Sequence, residues 1–359
     1  MAGGITTPKC VAMVSENGGL GSLPLGYLTV AQAIANIRET KQLTAKPFAI
    51  NIFVTQEVDI SKNQDRINIM KRELFSYRAS IGLSLENNPT HTDEASIDDL
   101  ISIAISEKVS AFSFTFGSLS TEQIKKLKES NIFVIGTATT IREGILLQQL
   151  GCNAVVGQGY EAGGHRGTFL GSPQSSQIGT MALIPQLATA LNIPVIAAGG
   201  IMNGQGLVAA LSLGATAVQM GTAFLTCQES GTNSFYRETI LNSTEESTVM
   251  TPYFTGKLAR GIKNRFTEEM EEKCSTDNIP DYPIQHYLTQ EMRRESAKKG
   301  VKDYSSFWAG QGTRLNRKDI TVKELLEKIE KEAKETVNKL YGTPYSEEVM
   351  DTKKLRSRL

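Results

Sequence analysis

One histidine stands inside a run of glycines: Gly157-Gln-Gly-Tyr-Glu-Ala-Gly-Gly-His165-Arg-Gly, directly after the apolar run Ala154-Val155-Val156. A strand that ends in a glycine turn bearing one titratable side chain is the layout of a barrel-enzyme active-site loop. Glycine there permits positive φ and lets the backbone approach a planar or anionic group closely. Taken alone, the stretch also admits a plainer reading, a tight βα turn with an incidental histidine. Two further strand ends add weight. Pro194-Val-Ile-Ala-Ala-Gly-Gly200-Ile closes in paired glycines before a helical pattern, and Val218-Gln-Met-Gly221-Thr222 repeats the arrangement at the next strand. Consecutive glycine-bearing strand ends suit a phosphate, because free backbone N–H groups and an adjacent helix N-terminus both favour an anion. Neither is a dinucleotide fingerprint or a Walker loop. His91 falls in a polar loop and His286 in a late helical region.

The elements that must position these residues alternate along the chain. Short strands are expected at 18–23, 48–54, 111–116, 131–135, 153–156, 194–198 and 217–225, with helices between them, and the strands are continuous apolar runs. Such runs mark a parallel sheet buried on both faces. Seven strands with matching helices by Leu225 make an α/β fold of TIM-type (β/α)8 barrel the nearest closed solution, with a doubly wound open sheet as the competitor. Residues 1–225 form the barrel in this reading, with about 301–340 completing it. A mostly helical cap is inserted at 226–300, and 341–359 form a tail. The mixed-charge amphipathic segment from Ile320 to Leu340 reads as an outer barrel helix.

Bulk properties exclude several classes. The 359 residues are 40% hydrophobic and 21% charged, with 38 basic and 38 acidic side chains, so nothing global points to nucleic acid or an anionic membrane. Cys10, Cys152, Cys227 and Cys274 show no metal-type spacing and read as reduced core thiols. No run approaches the roughly 20 apolar residues of a membrane span, and no secretory signal is visible. Cytoplasm is the expected location.

The glycine-histidine stretch, Val195-Ile-Ala-Ala-Gly-Gly-Ile and Gln219-Met-Gly-Thr222 together resemble the nitronate monooxygenase family of FMN-dependent barrels. Ala12-Met-Val-Ser-Glu-Asn-Gly-Gly-Leu-Gly-Ser, Pro47-Phe-Ala-Ile-Asn51-Ile-Phe-Val, Ala259-Arg-Gly-Ile-Lys-Asn-Arg-Phe266, Tyr282-Pro-Ile-Gln and Trp308-Ala-Gly-Gln-Gly312 extend the likeness over nearly the whole chain. The resemblance implies His165 as the base that takes the α-proton of a nitroalkane. It implies FMN held by Asn51, Gln158, Gly163, Gly200, Gln219, Met220, Gly221 and Thr222, the phosphate lying near Gly200, Gly221 and Thr222. No metal is implied; a small nitronate (such as propionate 3-nitronate) or nitroalkane and O2 are the implied reactants. Trp308, the only tryptophan, either lines the pocket or fills a seam between domains.

Two departures from the family stand out. Its first strand precedes the loop that here begins at Met1-Ala-Gly-Gly, so a barrel lacking one strand is expected. Leu83 to Asp93 has an uncertain register and receives no role. Two rival functions remain. One is an FMN-dependent enoyl-ACP reductase-like NAD(P)H oxidoreductase, since those enzymes share the Glu-Ala-Gly-Gly-His stretch. The other is an inactive truncated paralogue.

Overall fold

The computed structural model describes residues 1–55, 58–84 and 93–341. Its strands are β1 (Gly21–Pro24), β2 (Phe48–Phe53), β3 (Ala111–Thr115), β4 (Phe133–Ala138), β5 (Ala154–Gln158), β6 (Gly164–His165), β7 (Val195–Ala198), β8 (Ala217–Gln219), β9 (Thr248–Thr251) and β10 (Ala259–Ile262). Helices are α1 (Pro8–Glu16), α2 (Val30–Leu43), α3 (Gln64–Ser80), α4 (Ile97–Ser106), α5 (Thr121–Glu129), α6 (Ile141–Gln149), α7 (Thr180–Ala190), α8 (Gly204–Ser212), α9 (Ser234–Leu241), α10 (Arg265–Lys273), α11 (Ile284–Lys298) and α12 (Val322–Tyr341).

Seven parallel strands form one TIM-barrel-like sheet in the order β1-β2-β3-β4-β5-β7-β8. Its inner face carries small or slim residues, Ala49, Ala111, Ile135, Ala154, Val156 and Ala198. Its outer face packs larger ones, such as Ile50, Phe112, Phe114, Val134 and Val155, against helix residues Ile37, Leu127, Leu147 and Leu187. Both faces are dry, which is why these strands read as unbroken apolar runs. Local chemistry stops and starts the helices: Thr29, Ser96, Ser120 and Thr140 each close a capping box with the residue three places on.

Among the described residues, β1 and β8 end the sheet, each with a single neighbour. The edge shows in burial: Ala217 and Val218 are half-buried and Gln219 is exposed, whereas β5 is buried up to Gly157. The strand expected over 217–225 therefore stops at Gln219, and Thr222–Phe224 turns into a 3-10 helix.

Beyond β8 the chain is less helical than expected. β9 and β10 form an antiparallel hairpin, and β10 also pairs with β6. A second core joins α3, α10 and α11 through Met70, Leu74, Tyr77, Phe266, Met270, Leu288 and Met292. α12 lies on the barrel as an outer helix, its Val322, Leu325 and Ile329 packed with Cys10, Met202, Ala223 and Cys227. All four cysteines are buried and free. Among the described residues, no helix is long and apolar enough to cross a membrane.

Candidate active site

Parallel register carries the relevant residues to one end of the sheet. Asn51 stands opposite Ser113, and Gln158, Ala198 and Gln219 are successive partners across β5, β7 and β8. This is the end where α/β barrels place their chemistry. The loop leaving β5 is held by buried polar side chains. Gln158 donates from Nε2 to the His165 carbonyl (3.0 Å) and accepts from the Gly167 amide (2.7 Å). Glu143, fully buried, accepts from the amides of Phe169 (2.6 Å) and Leu170 (2.8 Å) and from Thr139. The Arg166 guanidinium donates to the carbonyls of Gln158 and Ser176. Gly163 is required by packing: a Cβ there would lie 2.5 Å from the backbone of Ala309 and Gly310.

His165 is fixed from the other side by the hairpin. Its backbone faces Ala259 across the β6–β10 pairing, and Nε2 lies 2.9 Å from Thr255 Oγ1. The ring sits among Phe116 (5.3 Å between centroids), Trp308 (5.6 Å), Tyr282 (5.8 Å) and Phe53 (6.4 Å). His165 is half-buried among these rings. Burial, then the charges of Lys257 and Arg293, push its imidazole down from 6.5 to about 3. The side chain is therefore neutral at any working pH. Two wall residues, Tyr27 (φ 68°) and Phe116 (φ 80°), sit in the left-handed region that bulky side chains avoid. Such local strain concentrates at functional sites.

The other end of the site is built from backbone. Among the described residues, the amides of Gly200 and Gly221 donate to no protein acceptor. Gly200 adopts φ +75°, and a Cβ on Gly221 would meet only Met1, at 3.6 Å. Free amides at adjacent strand ends fit an anionic group such as a flavin phosphate. The helix N-termini do not contribute as expected. Glu332 from α12 accepts from the Gly204 amide (3.1 Å) at the start of α8, and Glu161 caps α7 through Thr180. Both positive ends already hold a carboxylate. Thr222 accepts from the Gly310 amide (2.9 Å), tying the last strand end to the segment after Trp308. Asn51 donates to Ser113 Oγ (2.7 Å) at the mouth of β2, while Gln219 is exposed and Met220 half-buried at the sheet edge.

Sequence reasoning missed much of the cleft wall. Tyr27, Phe53, Phe116, Thr255, Lys257, Tyr282, His286 and Arg293 all face or adjoin the His165 neighbourhood. His286, expected in a late helical region, stacks on Tyr27 (4.6 Å, 9°) and lies 6.2 Å from Tyr282. The available signals were two family-like runs, Tyr282-Pro-Ile-Gln and the one from Pro47 to Val54 that carries Phe53. His91 and most of Leu83 to Asp93 lie outside the described residues. Trp308 lines the cleft, and its backbone also bridges Gly261. No cluster of ligating side chains for a metal is present among the described residues.

Known proteins with these features are close at hand. The nitronate monooxygenase family model matches residues 1–332. A probable nitronate monooxygenase of Staphylococcus aureus (strain MSSA476) is 46% identical over 313 residues, 87% of each chain. Nitroalkane oxidase from Streptomyces ansochromogenes superposes with a TM-score of 0.87 at 34% identity, covering 95% of both chains. FabK from Thermotoga maritima gives 0.74 at 31%, covering 95% of this chain and 93% of its own. With the match spanning barrel, histidine loop and hairpin alike, the chain belongs to the nitronate monooxygenase family and is an oxidoreductase.

Proposed function

We propose that this protein oxidises small alkyl nitronates and nitroalkanes with O2, using bound FMN, and that His165 is the base toward neutral nitroalkanes. The observation that carries the proposal is a single neutral imidazole, walled by aromatic rings, at the same sheet end as the free amides of Gly200 and Gly221. FMN, when bound, supplies the electron acceptor that passes electrons on to O2.

The chain's own part is binding, orientation and one proton. Thr255 Oγ1 donates its single proton to the Lys257 carbonyl (3.1 Å), so it accepts from His165 Nε2–H. That tautomer leaves Nδ1 as the lone pair, and Nδ1 has no protein partner among the described residues. A nitroalkane α-carbon is acidic, and Nδ1 takes its proton; a preformed nitronate needs no such step. Phe53, Phe116 and Trp308 keep water from the reacting carbon. Gly200, Gly221 and Thr222 would hold the flavin phosphate, and Asn51, Gln219 and Met220 would contact its ring or tail. Gln158 and Gly163 serve the cofactor by holding the loop. The likeness to FabK keeps one alternative in view, an NAD(P)H oxidoreductase of the enoyl-thioester type.

The test begins with the absorption spectrum of purified protein, which should show a bound flavin. Oxygen uptake with propyl-1-nitronate in the absence of nicotinamide should follow. In His165→Asn, oxidation of neutral 1-nitropropane should be lost while oxidation of the nitronate persists. Equal loss on both substrates would remove His165 from the base role. NADH consumption with an enoyl thioester, and none of nitronate, would select the alternative.

A further inference from the structure

From Gly167 to Gln228 the sequence holds no acidic residue, no basic residue and no histidine. At the chain's average of 21% charged, about thirteen charges would be expected there. Part of the run is β7 and the glycine strand ends, where burial leaves no place for a charge. The rest is surface. α7 and α8 are outer helices, and their outward residues Met181, Ala182, Gln186, Thr189, Gln205 and Ala209 are all exposed and all uncharged. The segment before α7 continues this surface, exposed at residues 171–175 and at Gln177. The two helices are neighbours: β7 pairs with β8, and a Cβ on Gly214 would lie 2.8 Å from that of Ala188.

Other outer helices show charge to water. Arg38 stands out on α2, Asp98 on α4, Lys125 on α5 and Arg142 on α6, while α12 carries a row of Glu–Lys pairs. A soluble surface ordinarily mixes both signs. A sector without charge has the composition of an interface core, where each charge would have to be stripped of water. Met181, 71% exposed, is the most exposed large apolar side chain among the described residues, and it lies in this sector. The exposed residues of α7, α8 and the preceding segment offer on the order of 800 Å², one partner's share of a standard stable interface.

The absence of charge also selects the partner. This face has no cation for the phosphates of a nucleic acid or an anionic bilayer, and nothing to steer an oppositely charged protein. Against its own copy it brings no like-charge contact, the cost that a charged face pays on meeting itself. The pattern along α7 agrees. Its outward residues recur every fourth place, from Met181 through Pro185 to Thr189 and from Ala182 through Gln186 to Ala190. A two-fold axis at Pro185 and Gln186 sets two α7 helices antiparallel, with large Met181 of one copy opposite small Ala190 of the other. We propose that this protein forms a two-fold dimer through the uncharged face of α7 and α8, with α7 at the axis. Self-association of this kind is independent of the chemistry at His165.

Sedimentation velocity of the full chain as purified, at about 10 µM, should show a dimer. Met181→Glu would bury a carboxylate against Ala190 and should raise the dissociation constant about tenfold or more, with the circular dichroism spectrum unchanged. A monomeric wild type, or a dimer indifferent to Met181→Glu, would overturn the proposal. Cross-linking tests the axis. All four native cysteines are buried, so mild oxidation reads only an introduced thiol. Gln186→Cys should give a disulfide-linked dimer, and Lys125→Cys on charged α5 should not. No cross-link in Gln186→Cys, or equal cross-linking in both, would place the contact elsewhere and overturn it. Held without ion pairs, the dimer should survive a rise in salt from roughly 0.05 to 0.5 M; dissociation over that range would also count against it.

Discussion

The two ends of the site are made from different material. The proposed anchoring end is backbone: free amides at Gly200 and Gly221, the first in the left-handed region that favours glycine. The proposed reacting end is side chains, drawn from β2, the β3 end, the β5 loop, the hairpin and the segment at Trp308. A backbone cradle tolerates few residue types and holds one invariant group. A side-chain wall can be rebuilt piece by piece, so substrate choice belongs there.

Variants that break one end and spare the other sharpen this contrast. The largest effect is expected from His165→Asn. Turnover of neutral nitroalkanes should drop by roughly 10²–10⁴, with flavin content unchanged, measured by oxygen uptake and absorbance. Loss of flavin from that variant would mean the two ends are not separable. Gly200→Val attacks the opposite end. Its φ of +75° makes a β-branched residue cost about 1–3 kcal/mol of strain. Flavin should dissociate more readily, seen as a rise in free-flavin fluorescence on dilution; tight retention would argue against a phosphate at this turn.

A smaller effect is expected at Thr255. Replacing it by Val removes the hydroxyl that accepts from His165 Nε2–H and sets the tautomer, a loss of about 1 kcal/mol. The fall of about fivefold in kcat/KM should appear with nitroalkane and not with nitronate. An equal fall on both would assign Thr255 to packing alone. The smallest effect is on acid stability. His165 at about 3 and His286 at about 2 lie below the unfolded value of 6.5. The unfolded chain therefore binds protons that the native state refuses, and stability should decline as pH drops from 6.5 toward about 3. His286→Gln should flatten that slope in urea titrations at a series of pH values; an unaltered slope would mean the imidazole protonates in the fold.

The parts of the fold that were legible are those with local causes. Apolar strand runs alternating with helical patterns announced the barrel, and the helices after Ser120 and Thr140 do begin in local capping boxes. The hairpin of β9 and β10 was not legible, because Thr248–Thr251 and Ala259–Ile262 are short and draw their partners partly from β6. Nor could the helix N-terminus after Gly200 be known as occupied. Its partner, Glu332, lies 128 positions away.

Sequence by itself determined the strand-helix rhythm, the glycine strand ends and the lone histidine among them, because each depends on neighbours within a few residues. Only tertiary structure decided what faces that histidine. Thr255 at Nε2 and Tyr282 and Trp308 beside the ring meet only when the chain has closed, since desolvation and pairing depend on distance in space.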